Sequence, residues 1–174
     1  MRTKAVWASF VLIFVMLSAG SSAKGDSTDL LFHLSAQSSI SFTSNQTSFQ
    51  LTLPGYHQGL TSEPAAIEYQ VMANDVGRLS DLVLVRVMSA LDGVAIESRM
   101  SQFSNVGGTA HLVSNSSEYA VLTTSDVGLA DKVVDEGDGR IIDGSLVLSY
   151  RARALRDLEA GNHETTVIVS FADN

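Results

Sequence analysis

The side chains best suited to chemistry in this chain are one acidic stretch and four scattered histidines. From Asp131 to Asp143 the sequence brings Asp131, Asp135, Glu136, Asp138 and Asp143 close together, with Gly137 and Gly139 among them. Hard oxygen donors on a flexible, glycine-bearing loop suit Ca²⁺, which takes about six to eight oxygens. The Asp-x-Asp-x-Asp-Gly order and the distal Glu of such loops are missing, so the stretch reads as a solvated turn and no metal site is expected. The same carboxylates, Asp135, Glu136 and Asp138, together with a histidine are the only pieces from which a hydrolytic site offers itself. Carboxylate catalysis needs paired groups in a cleft, and a loop cluster supplies neither the pairing nor the cleft. His33, His57, His111 and His163 stand apart in sequence, and each reads as a surface or hydrogen-bonded imidazole. There is no Gly-x-Ser-x-Gly elbow, no His-Glu-x-x-His, no phosphate-cradling glycine loop and no cysteine-based metal spacing. The expectation is a chain that is not an enzyme and takes no cofactor.

A binding loop is the other candidate. Pro54-Gly55-Tyr56-His57-Gln58 sets an aromatic ring and hydrogen-bonding groups in a turn, and Tyr56 and His57 are its candidate ligand contacts. On that reading the protein is a monomeric module for a carbohydrate or a protein partner. The single tryptophan, Trp7, lies in the N-terminal apolar run, so the ring best suited to sugar stacking is missing from the rest of the chain.

The elements that must position these residues begin after a leader. Arg2 and Lys4 precede an apolar run, Ala5 to Leu17, and small residues follow, ending in Ser21-Ser22-Ala23. This is the order of a signal peptide, with cleavage predicted after Ala23. The run is shorter than the roughly 20 residues that span a bilayer. No cysteine follows it, which excludes a lipoprotein anchor. Cleavage leaves 151 residues (174 − 23), enough for one domain with a buried core. It also moves the formal charge from −8 to −10, because Arg2 and Lys4 leave and no acid leaves with them. Such a surface repels phosphate backbones and anionic lipid, which argues against nucleic acid as a partner. An exported chain with no cysteine must be held together by core packing or by assembly, and this favours a bacterial or archaeal source. Asn45-Gln46-Thr47 and Asn115-Ser116-Ser117 then read as chance sequons.

Alternation with period two dominates the remainder. It predicts strands over Asp29–Gln37, at Ile40 and Phe42, and at Phe49-Leu51-Leu53. It does so again at Ile67-Tyr69-Val71-Ala73, Leu82–Met88, Thr109–Val113, Tyr119-Val121-Thr123, Leu146–Ala154 and Thr165–Phe171. Only Ser125–Val134 and Ala154–Ala160 suit a helix, each of about two turns, which is marginal without tertiary support. Many short strands with polar turns and no βαβ alternation predict an all-β fold, an immunoglobulin-like antiparallel β-sandwich. The layout is a signal peptide over 1–23, an N-terminal strand segment over 24–38 and a sandwich domain over 39–174.

Two of these strands suit assembly. Asp29–Gln37 carries Leu30, Phe32, Leu34 and Ala36 on one face, directly after the predicted cleavage site. It either completes its own sheet or pairs with the open edge of a neighbour. The last strand carries Val167, Val169 and Phe171 on one face and ends near the final residue. With the central Tyr69-Gln70-Val71-Met72 and the late Ala160-Gly161-Asn162 turn, this layout resembles a pilin subunit of the chaperone–usher pathway, of the alpha-class or colonisation-factor type. The chain departs from that pattern at its penultimate residue, Asp173, where many pilins place an aromatic. The resemblance implies a homopolymer displayed at the cell surface as a fimbrium, after transit through the periplasm. It implies a groove filled first by a strand of a periplasmic chaperone, delivered to an outer-membrane usher, and then by the donor strand of the next subunit. Leu30, Phe32, Leu34 and Ala36 are the side chains that insert.

Overall fold

The computed structural model describes residues 38–42 and 48–172. The predicted signal peptide, the segment Asp29–Gln37 with Leu30, Phe32, Leu34 and Ala36, and Asp173 lie outside the described residues.

The strands are β1 (Ser38–Phe42), β2 (Ala65–Ala73), β3 (Val83–Val87), β4 (Val94–Asn105), β5 (Ala110–Ser114), β6 (Ala120–Val121), β7 (Val127–Val134), β8 (Ile142–Ala154) and β9 (Val167–Phe171). They form two antiparallel sheets, β1-β2-β8-β4-β6 and β5-β7-β3-β9, packed face to face as an all-β sandwich. Among the described residues no helix is long and apolar enough to cross a membrane.

Alternation explains the core. Ile67, Tyr69, Val71 and Ala73 of β2 point inward, as do Leu146, Leu148 and Tyr150 of β8 and Val83, Val85 and Val87 of β3. Each large side chain so buried contributes about 1.5–3 kcal/mol over leaving it in water.

Three expectations need correction. Ser125–Val134 is not a helix: Val127–Val134 is strand β7. Its alternation is broken because Val83 pairs with Ala130 while Leu84 pairs with Gly128, so Leu129 is an extra, bulged residue. Leu129 and Ala130 are then both buried, which imitates a helical apolar pair. Ala154–Ala160 is not a helix either, since Ala154 ends β8 and irregular chain follows. Phe49-Leu51-Leu53 is irregular chain that pairs with no strand among the described residues; Phe49 and Leu51 pack on the core, and the Phe49 ring stacks 5.0 Å from that of Tyr150.

The largest element that alternation missed is β4, which pairs with β8 along most of its length. A bulge at Ser101, between Met100 and Gln102, breaks its period. Glu97 sits buried among its apolar residues and disguises the strand further. Close pairing here constrains Gly144: a Cβ there would lie 2.5 Å from the Ser104 backbone oxygen and from the Phe103 ring. Gly144→Ala is therefore expected to lower stability by about 1–3 kcal/mol through overpacking, read from a denaturant midpoint.

Candidate functional site

The site is built on β9, which closes one sheet at its edge and pairs, among the described residues, only with β3. Its backbone can be assigned residue by residue. Met88 N–H donates to the Thr166 carbonyl and Ala172 N–H to the Leu82 carbonyl, at the two ends of the β3–β9 register. Hydrogen-bonded and non-bonded pairs alternate along an antiparallel ladder. Ile168 and Ser170 therefore bond to β3, while Val167, Val169 and Phe171 turn their N–H and C=O groups to the open edge. These three also face their side chains toward Val87, Val85 and Val83 and pack on the core while staying half-buried.

Across from this edge lies β1, the terminal strand of the other sheet. Ile40, Ser41 and Tyr69 on that side, with Val167, Ile168 and Val169 on the other, line a cleft of about 250 Å³ between the sheets. Tyr69 at this cleft is anchored from below, its hydroxyl 2.9 Å from that of Tyr150. Burial raises the pKa of Tyr69, which the Tyr150 hydrogen bond partly offsets. Burial, with Tyr69 beside it, raises that of Tyr150 further. Both folded values lie above the ordinary 10.0, so the folded state keeps protons that the unfolded chain releases. Stability from this pair is expected in full below pH 10 and lost as the pH climbs beyond it. Denaturant unfolding across that range checks this, with Tyr150→Phe expected to flatten the decline.

The binding-loop residues lie elsewhere. Tyr56 is 61% exposed, and its ring centre is 4.2 Å from that of His57. The turn is tied to the chain after β8: Gln58 N–H donates to Asp157 at 2.8 Å and Leu158 N–H to the Tyr56 carbonyl at 2.8 Å. A hollow of about 370 Å³ is lined by Arg156, Asp157, Glu159 and His163 of that same post-β8 segment together with Asp92 before β4.

The acidic stretch is dispersed by its partners. Asp131 accepts from the Asp81 N–H at 2.9 Å, and both oxygens of Asp135 meet His111 Nδ1, at 2.7 and 2.9 Å. Asp138 and Asp75 both pair with Arg140. Lys132, buried within the stretch, donates to the Val76 and Gly139 carbonyls and pins the turn. Among the described residues no three metal-ligating side chains come together.

Of the cleft, sequence reasoning found Val167 and Val169 but not Ile40, Ser41 or Ile168 as its lining. Period-two alternation marks faces, and it does not tell which two edges of a sandwich meet. Comparison with known proteins finds no matching family model, no matching curated protein and no matching solved structure.

Proposed function

We propose that this chain is an exported structural subunit of a fimbria-like fibre, assembled by donation of the Asp29–Gln37 strand of one copy to the β9 edge of the next. The observation that carries the reading is the edge of β9, unpaired on one side among the described residues, beside an apolar cleft. Main-chain groups of Val167, Val169 and Phe171 supply hydrogen bonds to an added strand, and the cleft takes its alternate side chains. Leu30, Phe32, Leu34 and Ala36 have the matching period. Burying the three large ones contributes about 1.5–3 kcal/mol each, a strong contact for a chain with no disulfide. A periplasmic chaperone that lends a strand to the same edge keeps the subunit from pairing early, and an outer-membrane usher exchanges it.

Deleting Asp29–Gln37 is expected to abolish polymers and leave a folded or chaperone-held monomer, read by size-exclusion chromatography and circular dichroism. Polymers that survive the deletion overturn donation by this segment.

A further inference from the structure

Around Tyr119 the outer face of the five-stranded sheet carries charge opposite in sign to the chain as a whole, while Glu68 of β2 and Asp143 of β8 stand elsewhere on the same face. Glu97 of β4, 2% exposed, lies across from Arg151 of β8. Its carboxylate accepts from Arg151 Nε at 2.7 Å and from Arg153 Nε at 2.5 Å. Tyr119, just before β6, receives two guanidinium groups on its ring, Arg151 at 4.1 Å and Arg99 at 4.7 Å. Arg99 also donates Nη1 to the Ser117 carbonyl at 3.1 Å, and its Nε is buried without a partner. Three arginines against Glu97 give a local excess of +2 (3 − 1) around Tyr119 on a chain of net −8, and with Glu68 and Asp143 the described strands' outer face balances (3 − 3).

The donors are held in place but not used up. Arg151 and Arg153 each spend Nε on Glu97 and, among the described residues, make no other hydrogen bond, with side chains 31% and 37% exposed. Alternation sets Arg153, Arg151, Ser149, Val147 and Ser145 on one face of β8, successive members of a two-residue step lying about 7 Å apart. Beside them on β4, beyond Arg99, come Ser101, Gln102 and Ser104. These polar groups form a lane: Ser149 Oγ donates to Ser101 Oγ at 3.0 Å, and Gln102 Nε2 to Ser104 Oγ at 3.3 Å. A row of fixed guanidinium groups thus runs into a stretch of hydroxyls and amides that Val147 interrupts and that ends at Glu68, which accepts from Ser145 Oγ.

We propose that this face binds a carboxylated polysaccharide, with sugar carboxylates on Arg99, Arg151 and Arg153 and sugar hydroxyls on the serine and glutamine lane. The elongated face suits a polymer better than a single anion. Three cations on an acidic chain do not match a nucleic acid, which carries one charge per about 1.7 Å of duplex. A second copy is a poorer occupant, since in the chain's own acidic turn Asp135 is held by His111 and Asp138 by Arg140. The proposal is independent of strand donation.

The test is affinity electrophoresis of the exported protein at low salt in gels cast with polygalacturonate or with neutral dextran. Polygalacturonate is expected to retard the protein and dextran to leave it unmoved, with retardation fading as salt screens the charges. Arg99→Gln, which leaves the Glu97 pairs intact, is expected to weaken apparent affinity by about tenfold, the value of one charge-assisted hydrogen bond. Arg99→Lys serves as a second variant and is expected to keep more of the affinity. Arg78→Gln, away from the face, is expected to change nothing. Absent retardation, equal retardation by dextran, or retardation untouched by both Arg99 variants overturns the proposal. So does salt-sensitive self-association without polymer that Arg99→Gln removes, which assigns the face to a second copy.

Discussion

Removing both arginines that hold Glu97, as Arg151→Ala/Arg153→Ala, is expected to lower the unfolding free energy by about 3–5 kcal/mol. The cause is the carboxylate left behind. Glu97 is buried, and its two oxygens take the Nε donors of Arg151 and Arg153. A charge kept from water without a partner bears its full desolvation cost, whereas removing the whole cluster removes that cost too. Adding Glu97→Leu to the double variant is therefore expected to restore most of the loss. Denaturant unfolding of the three proteins reads both effects. A double variant as stable as the parent would mean that Glu97 reaches water once the arginines are gone.

The second large effect is on assembly. Val169→Pro is expected to eliminate polymers while leaving a folded subunit. Proline is tolerated on an edge strand where its missing N–H faces outward, and Val169 is such a position on β9. The same change at Ile168 removes a donor from the β3 ladder and is expected to cost about 1–3 kcal/mol of stability. The pair separates the role the proposal gives Val169, toward an added strand, from that of Ile168, which bonds within its own sheet. Polymers that persist in Val169→Pro would show that the β9 edge is not where strands are added.

How much of this was legible in the sequence follows from how each residue meets its sheet. β2, β3 and β9 were readable because their inward residues alternate without interruption, as Val83, Val85 and Val87 do. β4 and β7 were not, because each carries a bulge, and because Glu97 and Lys132 are polar residues buried by partners far away in sequence. Their partners Arg151, Arg153 and Val76 arrive through topology, which no local pattern carries. The acidic stretch looked like one cluster, yet His111 and Arg140 hold Asp135 and Asp138 apart. The arginine face was invisible for the same reason, since Arg99, Arg151 and Tyr119 come from three strands or their flanks. For the cleft, Val167 and Val169 showed themselves as a face, and only the sheet order reveals that the face lies at an edge opposite β1.

The most direct measurement of strand donation is the gel mobility of the native protein in detergent, with and without boiling. A donated strand is held by a full ladder of backbone bonds and buried side chains, so it resists detergent until heated. The account predicts a ladder of multimers in the unheated lane that boiling collapses to a single monomer band. A lone monomer band in both lanes would contradict it, leaving the sandwich as a solitary domain whose partner must be sought at the Tyr56–His57 loop.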